Sequence, residues 1–253
     1  MQETPWRRAG VSAVAVVVFL LAWRTLPRAL GVSAQTLPTP VDLGRRLASM
    51  ASHEGLGNHL LVTFSEIWRG VLIGLAAGVV LALVFAASPL VEKLVMPVVV
   101  VVQVTPKIAI APLLVLWMGL GSVSKVFLVA LVTFFPTLVN TLMALRSISG
   151  NVRQLSRLLA LTRWQRFTKI ELPSIVPGVV TGMRLGCLAG VTAAVIGEII
   201  GAKAGLGYLV IQSQESGDVA QGLVAVLVLA FLGLLLWLGT GYLQARAERV
   251  FAA

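Results

Sequence analysis

The sequence predicts an all-α polytopic membrane protein with six transmembrane helices, and three observations carry that prediction. Of its 253 residues, 58% are hydrophobic and only 12% charged, with a mean hydropathy of +0.94, so a soluble domain would leave far too much apolar surface in water. The apolar runs approach the ~20 residues a helix needs to cross a core of ~30 Å, and they lack the alternation of barrel strands. The Lys and Arg residues behind the net charge of +10 sit mainly at the ends of those runs. There they report topology, and they do not form the single solvated face that a nucleic-acid binder requires.

The first apolar run, Ala9 to Trp23, is short and is read as a retained helix. A cleaved signal peptide is the alternative, with small residues at Val32 to Ala34. Residues 24–58 are polar, and Val41, Leu43, Leu47 and Met50 give a surface helix outside the bilayer. The later spans are His59–Ala87, Leu94–Leu120, Val126–Leu145, Pro173–Ile200 and Leu223–Leu243, with a polar return over 201–221. The organisation is thus 1–58, an N-terminal helix and periplasmic segment; 59–245, a core of five spans with a cytoplasmic loop at 146–173; and 246–253, a cytoplasmic tail. With six spans both termini share a side. That side carries eleven Lys and Arg against six opposite, so the loop and both termini are cytoplasmic.

Cys187 has no disulfide partner, and His53 with His59 is a poor metal set. No nucleophile stands with a base, so neither a catalytic centre nor a metal site is expected.

The loop 146–173 holds six of the twenty basic residues against one acid, Glu171. Val152, Leu155, Leu158 and Leu159 recur at helical spacing, Arg153 and Arg157 form another stripe, and Asn151 can cap the start. Thr162 with Gln165 has capping-box spacing and restarts a second helix, whose apolar face is Trp164, Phe167 and Ile170. Either a helix lying on anionic lipid or a helix seated in a partner's cleft fits this pattern.

Span five carries Gly178, Gly182, Gly186 and Gly190 at intervals of four, and span two carries Gly70, Gly74 and Gly78 likewise. Such ladders let helices approach closely, within one chain or across a dimer.

Three segments carry a family resemblance: the loop ending Ile170-Glu171-Leu172-Pro173, TPKIAIAPLLVLWMGLG (Thr105–Gly121), and GEIIGAKAGLGYLV (Gly197–Val210). With these, the chain from about His59 onward resembles the permease subunits of binding-protein-dependent ABC importers, in particular the nitrate, sulfonate, taurine and bicarbonate branch. In the family pattern Gln154, Leu155 and Ser156 stand at Glu-Ala-Ala, and Ala160 at the following glycine.

The resemblance implies a type I importer fold and a permease with no ATPase site of its own. It implies a second permease copy forming a homodimer, two cytoplasmic ABC ATPase subunits that bind the ATP and Mg, and a periplasmic solute-binding protein, with lipid around and no nucleic acid. It implies a coupling helix in the loop, Arg153, Gln154, Leu155, Ser156, Arg157, Leu158, Ala160, Leu161 and Thr162, seated in the ATPase. GLGSVSK (Gly119–Lys125) has Ser124 where a phosphate loop needs its second glycine. Span three, interrupted by Pro97, Pro106 and Pro112, places Gln103, Thr105 and Lys107 near the translocation path. Glu198 is expected at an outer gate or as a structural cap, with Lys203 as a possible partner. A small anion is the expected cargo, and a stand-alone carrier or channel is the alternative function.

Overall fold

In the computed structural model the described residues are 14, 18, 21–25, 29, 31 and 36–251. The first apolar run, with its possible cleavage site, lies largely outside them. The described helices are α1 (Pro40–His53), α2 (Leu56–Ala87), α3 (Pro89–Val104), α4 (Lys107–Met118), α5 (Ser122–Ser147), α6 (Gly150–Leu158), α7 (Arg163–Arg166), α8 (Leu172–Gly201), α9 (Leu206–Ser216) and α10 (Val219–Phe251). A π-helical turn, Phe167–Glu171, joins α7 to α8.

Four of these stretches are long and apolar enough to cross a membrane: α2, α5, the continuous Arg163–Gly201 and α10. Span three is not the continuous crossing that its apolar run suggested. It is α3 and α4, bent by 97°. Only one of the three prolines breaks the helix, because Pro106 pushes Thr105 out of the helical region to ψ 130°, while Pro97 and Pro112 are carried inside their helices. The return 201–221 is also more ordered than its polarity implied, since it contains α9.

The described residues form two compact units. The smaller takes in the described chain up to Gly57 together with Leu209–Leu227. Here α1 starts on a capping box, in which Thr39 Oγ1 accepts the Asp42 N–H and Asp42 accepts the Thr39 N–H at 3.1 Å. Arg46 of α1 donates to Asp218 and Gln221, both at 2.9 Å, and to Glu54. That last hydrogen bond holds the Glu54 carboxyl below its ordinary range and raises Arg46 in return. Asp218 also accepts the Gln221 N–H at 3.0 Å, within the first turn of α10.

The larger unit, Asn58–Tyr208 with α10 from Val228, is built around α5. One ridge of α5, at intervals of four, enters glycine grooves on two neighbours. Val129 meets Gly70 of α2 and Gly190 of α8, Thr133 meets Gly74 and Gly186, and Thr137 meets Gly78 and Gly182. Both ladders therefore pack within the chain. Below them Ala82, Phe85, Val99, Leu138 and Leu142 join α2, α3 and α5 in a buried cluster.

Candidate functional sites at the loop, the bend and the start of helix α9

The loop helix α6 is capped by Ser149, whose Oγ accepts the Val152 N–H at 3.3 Å, and not by Asn151, which lies inside the first turn. The apolar stripe it was expected to show is turned outward. Val152, Leu155, Leu158 and Leu159 are all exposed, Leu158 at 78%. Gln154, Ala160 and Thr162 are exposed and Leu161 is half-buried. Ser156 is the exception in the expected coupling set: it is buried and lines a cleft with Leu83, Leu145, Ile148 and Ile170, so it anchors α6 to its own chain. Arg153 and Arg157 belong to α6, but their side chains lie outside the described residues.

The helix ends in a Schellman turn, with the Leu161 N–H donating to the Ser156 carbonyl at 3.1 Å and Ala160 at φ +49°. Ala160 thus holds the left-handed conformation that favours glycine, at the position where the family pattern has one. Restoring it, Ala160→Gly, is expected to relieve about 1 kcal/mol of backbone strain; hydrogen exchange over residues 155–162 would slow, and unchanged exchange would contradict the assignment. The restart is as expected: Gln165 accepts the Thr162 N–H at 2.9 Å and Thr162 accepts the Gln165 N–H at 3.2 Å. Trp164 and Phe167 pack with ring centroids 6.0 Å apart.

The polar residues of span three collect at its bend. Lys107 donates to the Gln103 backbone carbonyl and, at 3.3 Å, to its side-chain carbonyl, while the Thr105 hydroxyl donates to the Val101 carbonyl at 2.8 Å. All three are half-exposed. The lysine and the amide are thus held together at the opened backbone.

Glu198 does not line an opening. It is fully buried, and its carboxylate accepts the Thr63 hydroxyl and the Gly207 N–H, both at 2.6 Å. Thr63 Oγ1 in turn accepts the Leu206 N–H at 2.8 Å, and His59 Nδ1 accepts the Gly205 N–H at 3.0 Å. Three successive N–H groups at the start of α9, which a helix leaves without partners, are therefore held by side chains from α2 and α8. Gly205, at φ +124°, and Gly207 leave no room for a Cβ against the Glu198 carboxylate. The ammonium beside Glu198 belongs to Lys125, while Lys203 is exposed. Composition alone missed Lys125, Glu66, Thr63 and His59. For Lys125 and Glu66 the signal is the four-residue period, because Glu66 continues the ladder 70-74-78 and Lys125 the ridge 129-133-137, as Glu198 does the ladder 178-182-186-190; Thr63 and His59 stand off that period and carry no such signal.

The family model for the binding-protein-dependent transport system inner membrane component matches residues 70–250. The riboflavin transport system permease protein RibX of Chloroflexus aurantiacus is 32% identical over 96% of this chain and 91% of its own length. The formylaminopyrimidine transport permease protein ThiX of Halalkalibacterium halodurans is 32% identical, covering 87% of each chain. The taurine transport system permease protein TauC of Escherichia coli is 28% identical over 95% of this chain and 89% of its own. Among solved structures, a chain of the MetNI methionine ABC transporter in inward-facing conformations superposes with a TM-score of 0.61, at 21% identity, over 77% of this chain and 94% of that one.

Proposed function

This chain belongs to the family of inner-membrane components of binding-protein-dependent transport systems, and from that premise we propose how it works as the permease of an ATP-driven importer. Two copies form the path, each receiving one ABC ATPase subunit on α6, with both termini and the loop in the cytoplasm. A periplasmic binding protein delivers the solute to the opposite side. ATP and Mg are bound by the partner, and this chain converts the partner's closure into movement of its spans.

The observation that carries the reading is the outward apolar face of α6. Three exposed aliphatic side chains on a nine-residue helix, with a fourth, Leu159, just past its end, are costly in water, and a rigid helix in a partner's cleft can pass on a rotation. The neighbouring Ser156, held in the chain's own cleft, ties that helix to the span ends.

For the cargo, Lys107 with Gln103 at the bend suits a small anion such as nitrate, a sulfonate, taurine or bicarbonate. The 32% identity to permeases named for riboflavin and formylaminopyrimidine favours a second reading, a small heterocycle. Proteoliposomes holding this chain and its partner ATPase test both levels. Uptake should require internal ATP and the binding protein, and labelled taurine and nitrate against labelled riboflavin would decide the cargo class. Uptake by this chain alone, driven by an ion gradient, would overturn the importer reading.

A further inference from the structure

The period of four that packs α5 against α2 and α8 has a weakness. Successive layers, Gly70–Val129–Gly190, Gly74–Thr133–Gly186 and Gly78–Thr137–Gly182, are so alike that a slide by one layer, about 6 Å at 1.5 Å per residue, meets similar grooves. Small-residue packing therefore brings these helices together without fixing their register.

One layer is different. At the outer end the ridge of α5 presents Lys125, 1% exposed, between Glu66 of α2, 2% exposed, and the fully buried Glu198 of α8. The Lys125 ammonium interacts electrostatically with both carboxyls. Its hydrogen bonds go to the carbonyls of Leu120 at 2.6 Å, Gly121 at 3.0 Å, and Gly201, the last residue of α8. The cation thus sits where the α8 dipole is negative. Gly197 lets it pass, since a Cβ there would come 2.8 Å from Lys125 Cγ. A one-layer inward slide of α5 along α8 would carry the ammonium to the level of Ala194, away from the Gly201 carbonyl and Glu198, with only the Leu120 and Gly121 carbonyls at the start of α5 travelling with it. Single buried polar groups set register in just this way in packed helices.

The loop with α6 connects the inner end of α5 directly to the inner end of α8. If the two helices could ratchet past each other, a displacement of the loop would dissipate as sliding. We propose that Lys125 is the register lock of the α5–α8 pair and a positioning residue for energy coupling, so that movement of the cytoplasmic loop reaches the outer corner Gly205–Gly207 about 39 Å away, the length of the 26-residue α5. This rests on the permease reading above.

The test uses the reconstituted permease–ATPase complex in a Cys187→Ala background, with spin labels at Val123, near the outer end of α5, and Leu172, at the inner end of α8, both exposed. Axial sliding changes that distance directly. With Lys125 in place a single distance is expected. Lys125→Met should add a second population displaced by about 6 Å. It should also cut binding-protein stimulation of the ATPase at least ten-fold, with the basal rate within two-fold. Lys125→Met/Glu66→Gln rebalances the buried charge and should assemble while still showing the second population. A single distance in both variants, restored stimulation in the double variant, or failure of both to assemble would each overturn the lock. Absence of stimulation with Lys125 present would instead count against the permease reading, and the distance measurement would still judge the lock.

Discussion

Replacing Gly182 by leucine is expected to abolish recovery of folded protein. A Cβ at this position would lie 2.5 Å from Thr137 Cα and 3.0 Å from Thr137 N, both backbone atoms of α5, so no rotamer change can make room. The helices would have to separate, and the same Thr137 contacts Gly78 of α2 on its other side, so separation on one side disturbs both grooves. Overpacking a well-filled core costs typically ~1–3 kcal/mol, and with backbone against backbone the effect belongs at the upper end or beyond. In a membrane, close packing of this kind is a main source of helix association, and little else would compensate. Yield of monodisperse protein on size exclusion is the measurement, with Gly239→Leu as control, because nothing lies within 4 Å of a Cβ there. At Gly186 the obstruction is the Thr133 side chain. Gly186→Ala should accordingly be milder and be relieved by Thr133→Ala. Full recovery of Gly182→Leu would mean that the α5–α8 contact does not hold the unit together.

Much of this architecture was legible in the sequence, for stated physical reasons. Spans two, four, five and six follow from run length, and the Thr162–Gln165 box closes as its spacing requires. Asn151 has the side chain to cap α6, but Ser149 is the residue just outside the first turn, and either side chain suits the role. The 97° bend at Thr105–Pro106 could not be told from three prolines alone, since proline inside a membrane helix is often tolerated. Burial of Lys125 and Glu198 was hidden for a different reason. Each stands at the end of a span, where charge is normally read as topology or as snorkelling, and only the shared period of four with the glycine ladders shows that they face inward. The family resemblance puts Ser156 among the coupling residues, yet it is buried on the inward face of α6 while Leu155 and Leu158 are exposed.

That opposition of faces sets up the second large effect. Leu155→Glu/Leu158→Glu should leave the permease folded and remove the ATPase from it. Both side chains are exposed, at 53% and 78%, so neither substitution opens a cavity or buries a charge within this chain. In the complex each leucine would bury its side chain in the partner, worth about 1.5–3 kcal/mol. A glutamate there would also be desolvated, so losing the pair should weaken association by roughly 100-fold or more. Copurification of the ATPase on tagged permease, read beside the permease's own size-exclusion profile, separates loss of docking from loss of fold. Ser156→Val is the informative contrast, since it perturbs the cleft behind α6 and leaves the outward face unchanged. It should retain the ATPase yet transmit its movement poorly, lowering transport per ATP hydrolysed. If the double glutamate variant copurified its ATPase undiminished, α6 would not be the seat of the partner, and the outward face would need another occupant.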